Sequence, residues 1–325
     1  MVQHNINLTT PEITALWSTY IQESASLCFL KHFLKYMEDE EILQLLKEAI
    51  DMSSGSQDMI TAIFKQEKFP VPEGFSDRDV MLEAPPLYTD LNALRYVYRA
   101  SKLTLHSYAT HLINVARSDL LEFFIQEQIN QVRLYEKAVK LMLSKGIYDR
   151  PPKIPYPDRV HYAEQKSYIG HFFGDKRPLN SFELSEAFFN IENNYIGLIF
   201  LLGMIQVSKD EELKHYLIKG KHLALMQIDV FNKLLREEGH FGTLPVSLEV
   251  TDSIESPFSA KLILFSVASA TSTAISLIGK AVSYGLRKDI TAHFLLVAKE
   301  ILSYSEEGAK IMIKRGWFEE PPQSD

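Results

Sequence analysis

The chain is one unit written twice, and this duplication constrains its fold more than any other feature. Leu8-Thr9-Thr10-Pro11-Glu12-Ile13 returns as Leu179-Asn180-Ser181-Phe182-Glu183-Leu184. Lys145-Gly146-Ile147-Tyr148-Asp149-Arg150-Pro151-Pro152 returns as Arg315-Gly316-Trp317-Phe318-Glu319-Glu320-Pro321-Pro322. The copies are offset by about 171 residues at the front and about 170 at the back, so each must fold in the same way. The repeat also supplies an internal comparison, since a reactive site used by both copies should appear at matched positions.

Apolar residues recur at helical spacing through most of each copy, which predicts four helices per copy. In the first they fall near 10–37, 40–67, 87–115 and 119–145, and in the second near 181–208, 210–237, 257–286 and 289–315. Thr9 with Glu12, Asn180 with Glu183 and Asp119 with Glu122 have capping-box spacing, and Pro11 stands where a first turn tolerates it. Helices one and two, and three and four, are joined by a few residues and must be antiparallel neighbours. Helices two and three are separated by Pro- and Gly-rich stretches, Lys68 to Pro86 and Gly239 to Pro257. About twenty extended residues reach about 66 Å, more than the roughly 40 Å of such a helix, so each stretch can run the length of a bundle. One long crossover is the pattern of ferritin-like bundles. The expected architecture is all-α, two tandem ferritin-like four-helix bundles from an internal duplication. Its parts are a first bundle over 1–145, a linker over 146–178 and a second bundle over 179–325. The linker aromatics Tyr156, Tyr162, Tyr168, Phe172 and Phe173 are too apolar for a free tether and are expected to pack on the bundles.

The 34 basic and 42 acidic residues leave a net charge of −8 without long charged blocks, which argues against binding a nucleic-acid backbone. Cys28 is the single cysteine, so no internal disulfide forms, and the start lacks the basic-then-apolar pattern of an export signal. A cytoplasmic protein is expected. Leu262 to Gly279 carries no charge, near the minimum for a membrane span, but it is rich in Ser and Thr and closes at Lys280. It is read as a buried helix, with no membrane span. The first copy keeps Arg95, Arg99, Lys102 and His106 in this stretch, so the second is expected to pack against the other bundle or the linker, with a homodimer contact as the alternative.

Helix one presents an inward seam of Ile13, Leu16, Tyr20, Glu23, Leu27, Leu30, Leu34 and Met37, and the second copy keeps a polar residue, Asn194, where the first has Glu23. Di-iron carboxylate bundles take a Glu from about this position and Glu-x-x-His motifs from two other helices. The positions expected to face Glu23 are Ser53 and Ser56 on helix two and Gln128 and Gln131 on helix four, which are poor metal ligands. Their counterparts are Ala224, Gln227, Ala298 and Ile301. No metal, cofactor or catalytic residue is expected. The weak metal candidates are Glu23 and Asn194, together with His215, His222 and Asp229, which share one face of helix six. Glu212 with His215 is a Glu-x-x-His, but it stands at a helix start, where the macrodipole favours a Glu. His106 and His111 are five residues apart and point in different directions.

Several words of the sequence resemble a known family. Ile6-Asn7-Leu8-Thr9-Thr10-Pro11-Glu12-Ile13, Ser144-Lys145-Gly146, Arg150-Pro151-Pro152, Arg177-Pro178-Leu179-Asn180, Val250-Thr251-Asp252-Ser253, Ser256-Pro257-Phe258-Ser259 and the tail from Gly308 to Trp317 are similar to domain-of-unknown-function family 3231 of Bacillus and relatives. The resemblance spans essentially the whole chain, and its members are similar to the ferritin-like spore coat F group. It implies a non-catalytic structural or interaction protein of a spore-forming bacterium, with spore coat or other protein partners. The family has no established active site, so no catalytic residue carries over. A ferritin-like metal or redox protein, or a binder of a small apolar ligand, stands as the alternative.

Overall fold

The computed structural model describes residues 6–163, 166–169, 176–240 and 249–323. Within these the chain is all-helical, with eight long helices and no strand. They are α1 (Thr10–Tyr36), α2 (Glu40–Gln66), α3 (Asp90–Leu112), α4 (Ser118–Ser144), α5 (Ser181–Val207), α6 (Glu211–Glu237), α7 (Ala260–Tyr284) and α8 (Lys288–Lys314). Each copy therefore has the four helices its periodicity predicts. The chain divides into two compact units that differ from the contiguous stretches 1–145, 146–178 and 179–325. Unit 1 takes 1–148 together with 249–263 and 313–325, and unit 2 takes 149–248 and 264–312.

In unit 1, α1 packs on α2 and α3, and α4 on α2 and α3. The crossover between α2 and α3 is covered by 249–259 in an antiparallel pairing. Met81 N donates to the Pro257 carbonyl and Thr251 N to that of Leu87, at 2.8 and 3.0 Å, while Thr89 N donates to Glu249 and Ser259 N to Asp79. Adding 170 to one member of each bond and subtracting it from the other yields its partner bond. The two crossover segments thus pair through equivalent, self-complementary backbone edges.

One polar cluster occurs in both units at matched positions. In unit 1, Glu12 accepts from Thr9 N at 2.8 Å and, across the bundle end, from Ala116 N and Arg117 N at 3.2 and 3.0 Å. Arg117 pairs in turn with Asp119 and Glu67. In unit 2, Glu183 accepts from Leu286 N and Arg287 N, and Arg287 pairs with Asp289 and Glu238. The carboxylate caps the free N–H groups at the start of the fourth helix, where the macrodipole favours negative charge. Burial pushes both carboxyls up, but hydrogen bonds from Thr9 and from the backbone at 116–117 hold Glu12 below its ordinary value. Arg177 and the Arg287 backbone do the same for Glu183. Stability from these groups is present above the ordinary carboxylate range and lost as pH falls through the lowered values. The capping boxes at Thr9–Glu12 and Asn180–Glu183 form as the spacing predicts, but that at Asp119–Glu122 does not. There Asp119 turns to Arg117 instead.

The linker departs from expectation. Tyr156 and Tyr162 are 98% and 86% exposed. Tyr168 is held from within unit 2, its ring under the Arg177 guanidinium at 4.2 Å, and Phe172 and Phe173 lie outside the described residues. A second helix, α5, proves long and apolar enough to cross a membrane by length and composition alone, as α7 is. Less than half of each apolar window is buried. On α7, Ala268, Ser269 and Ala270 are half-buried and Ser272 is exposed.

Core volume is conserved between copies by compensation. In unit 2, Tyr216 of α6 and Tyr304 of α8 stack at 4.2 Å, and each hydroxyl donates to the other's backbone carbonyl. A Cβ on Gly220 would come within 2.3 Å of the Tyr304 hydroxyl, and one on Gly308 equally close to that of Tyr216. In the first copy these four positions are Leu45, Ala49, Leu134 and Ala138, all buried. Small glycines go with large tyrosines, and alanines with leucines. Gly220→Ala should therefore cost about 1–3 kcal/mol by overpacking. Adding Tyr304→Leu should recover part of that loss, so the double variant should unfold in denaturant at a higher midpoint than the sum of the single effects predicts.

Candidate functional site

The middle of the unit 1 bundle holds a buried polar centre. Glu23 comes from α1, Ser53 and Ser56 from α2, Ser101 and Tyr108 from α3, and Glu127 and Gln131 from α4. Each stands where its helix turns inward. The step from Glu127 to Gln131 is four residues and continues to Leu134 and Ala138, the buried stripe of α4. Gln128, expected to face Glu23, lies one residue off this stripe and is only half-buried. Glu127 was missed, although counting back along the Leu134 and Ala138 stripe finds it.

Both Glu23 oxygens are engaged. Ser53 Oγ donates to Oε2 and Tyr108 Oη to Oε1, each at 2.6 Å. Ser56 Oγ donates to Glu127 Oε2 at 2.6 Å. Glu23 is thus met by two hydroxyls and Glu127 by one. Burial pushes the Glu23 carboxyl up against the opposing bonds from Ser53 and Tyr108. It does the same at Glu127, where Ser56 opposes the rise and the charge of Glu23 adds to it. Beside Glu23 lies a half-open recess bordered by Glu23, Ser53, Tyr96, Ser101, Thr104 and Gln131, with room for about two water molecules. Ser101 Oγ and Gln131 Oε1 are buried without a hydrogen-bond partner, on residues only 2% and 6% exposed. Leaving a buried polar atom unsatisfied costs about 1–3 kcal/mol.

The second copy has no such centre. Glu23, Ser53, Ser56, Ser101, Tyr108, Glu127 and Gln131 are replaced by Asn194, Ala224, Gln227, Thr271, Ile278, Val297 and Ile301. Asn194 donates to Gln227 Oε1 at 3.1 Å and to Asn190, and Thr271 turns back to the Ala268 carbonyl of its own helix. His215, His222 and Asp229 are exposed on α6, and His106 is exposed on α3. His111 is half-buried against Phe124, and burial lowers its pKa. Among the described residues no group of three or more His, Cys, Asp or Glu stands together as a metal site. The structure thus gathers Glu23 with Ser53, Ser56 and Gln131, and Asn194 with Gln227, and leaves His215, His222 and Asp229 exposed on α6.

A model of the family of proteins of unknown function DUF3231 matches residues 1–160 and again residues 167–325. The chain belongs to this family. The double match coincides with the duplication, so each copy is one family unit. No curated protein matches the chain. Among solved structures, a candidate spore coat protein from Bacillus halodurans is similar at 19% identity over 46% of this chain and 97% of that one, with a TM-score of 0.41. At that level the likeness carries no argument about the site.

The Glu127 carboxyl gives a pH test of the centre. A carboxyl raised on folding contributes its full stability below its unfolded value and loses it as pH rises through the folded value. Glu127→Gln keeps an acceptor for Ser56 but cannot ionise. It should be more stable than the parent at pH 8 by about 1–3 kcal/mol, with the gap closing towards pH 4. Chemical denaturation across that range should show the convergence, and a gap independent of pH would contradict the buried placement.

Proposed function

We propose that this chain is a non-catalytic structural or interaction protein of the spore coat F type, two ferritin-like bundles that act through their surfaces. The observation that carries this reading is a match between the copies on the outside of the fourth helix. Ile125, Val132 and Leu143 are exposed on α4, and the residues 170 further on, Leu295, Leu302 and Ile313, are exposed on α8. Their spacing of seven and eleven residues puts them on one line along each helix. Glu136 with Lys140 and Glu306 with Lys310 form matching ion pairs beside them. Exposed apolar residues retained at equivalent places mark a contact surface better than scattered ones do, whereas the polar centre that chemistry would need occurs in one copy only. Cytoplasmic synthesis, association with the spore, and protein partners or a second copy of the chain belong to the same reading.

Charge placed on this line should abolish the contact without unfolding the bundle. Val132→Glu combined with Leu302→Glu should leave the helical circular dichroism and the melting temperature close to those of the parent. In sporulating Bacillus cells a fluorescent fusion of the parent should collect at the developing spore surface, and the double variant should stay diffuse. Equal distribution of the two would contradict the reading. A ferritin-like metal or redox role is the second reading, favoured by the burial of two carboxyls, Glu23 and Glu127, in one bundle, where the charge of one acts on the other.

A further inference from the structure

We propose that His32 makes the crossover of unit 1 an acid-released strap, closed while the imidazole is neutral and opened when it takes up a proton. One face of α1 holds the crossover backbone through four side chains spaced a helical turn apart. Ser24 Oγ accepts from Phe75 N at 3.0 Å, and Cys28 Sγ donates to the Ser76 carbonyl at 3.4 Å. His32 Nε2–H donates to the Ala84 carbonyl at 3.3 Å and Tyr36 Oη to that of Leu82 at 3.1 Å. The second copy has Tyr195, Ile199, Gly203 and Val207 at the equivalent positions, so the stripe, and with it the imidazole, belongs to the first copy alone. Of the four side chains, only the imidazole ordinarily changes charge between pH 5 and 8. It is also where three segments meet. His32 is 1% exposed, it bonds the crossover at Ala84, and the ring of Phe258, from the segment paired along the crossover, lies 5.3 Å away.

A positive charge at His32 would be poorly met. Nε2 already serves Ala84, and the rings of Phe33, Tyr36 and Phe258 lie 6.5, 5.5 and 5.3 Å from the imidazole. Lys35 of α1 acts on the ring and opposes protonation, while Glu83 on the crossover pairs with Lys35 in solvent. Asp79 on the crossover takes the Ser259 hydroxyl, and Glu249 on the paired segment takes Arg95 of α3. Among the described residues no carboxylate acts on the ring. Burial therefore lowers the imidazole pKa, the Lys35 charge works in the same direction, and the bond to Ala84 opposes them. Burying an uncompensated charge is costly, so the proton is taken up where the ring reaches water. The strap is fully closed above the ordinary imidazole value of 6.5 and gives way as pH falls below it. Opening bares the backbone edges of 79–89 and 249–259 and separates Phe29 from Phe258, whose rings pack at 4.3 Å.

The single cysteine is a probe already in place. Cys28 is buried one turn from His32 and bonded to the crossover at Ser76, and a buried thiol is inert until its cover opens. The full chain is labelled with 4,4′-dithiodipyridine between pH 8 and pH 5, and each rate is divided by that of an unstructured cysteine peptide at the same pH. Helical circular dichroism should stay constant across the series. The normalised rate should rise by up to about thirtyfold, the limit set by an imidazole of ordinary value 6.5 in the open form. His32→Gln, which can still donate to Ala84 but cannot take a charge, should label at the same normalised rate at both ends of the range. A parent rate that does not rise at pH 5 would overturn the proposal, as would an equal rise in His32→Gln. If that variant does not fold, the His32 ring resonance of the parent decides. It should titrate below 6.5 over the range in which the thiol opens, and a ring that titrates while Cys28 stays closed would overturn the proposal.

Discussion

Each bundle depends on one carboxylate at its end. Glu12 and Glu183 are buried where the first helix begins, yet they satisfy backbone donors at the start of the fourth helix, more than a hundred residues away. The first and last helices of a copy are thereby locked in register. Arg117 and Arg287 complete the lock by tying the same corner to the end of the second helix through Glu67 and Glu238. An unpaired carboxylate in that place would be costly, so the whole cluster is kept or lost together. Both copies keep it.

The centre of the bundle follows the opposite rule. Once the ends are locked, the middle is free to be wet or dry. The first copy fills it with Glu23, Glu127, their hydroxyl partners and a small recess, and the second fills it with apolar side chains around one Asn194–Gln227 bond. The two kinds of carboxyl respond to pH in opposite directions. Those at the ends are held low and stabilise the fold above the acid range, while those at the centre are held high and stabilise it below their raised values. Tyr216 and Tyr304, filling space that Leu45 and Leu134 fill in the other copy, show the same division between a fixed frame and an adjustable interior.

Most of the frame was legible in the sequence, because helix periodicity and the repeat are local signals that reinforce each other. All eight helices lie within a few residues of their expected positions, and Glu23 was visible as the lone charge in an apolar seam. Glu127 was not, since a shift of one residue along a helix turns a side chain by about 100°, and the neighbouring Gln128 reads as an equally plausible inward position. Tyr108 was hidden for another reason: its hydroxyl matters, but its ring reads as ordinary core. The placement of 249–259 over the first crossover depends on pairing between distant segments, which no local pattern encodes. The linker tyrosines misled because aromatic content suggests burial, whereas Tyr156 and Tyr162 face solvent.

The proposed reading takes the polar middle of the first bundle as a structural centre rather than a transition-metal site. Elemental analysis of protein purified from its native host, without chelator or affinity tag, tests this most directly. The account predicts iron and manganese far below one atom per chain. Stoichiometric iron or manganese, lost on replacing Glu23 or Glu127, would contradict it.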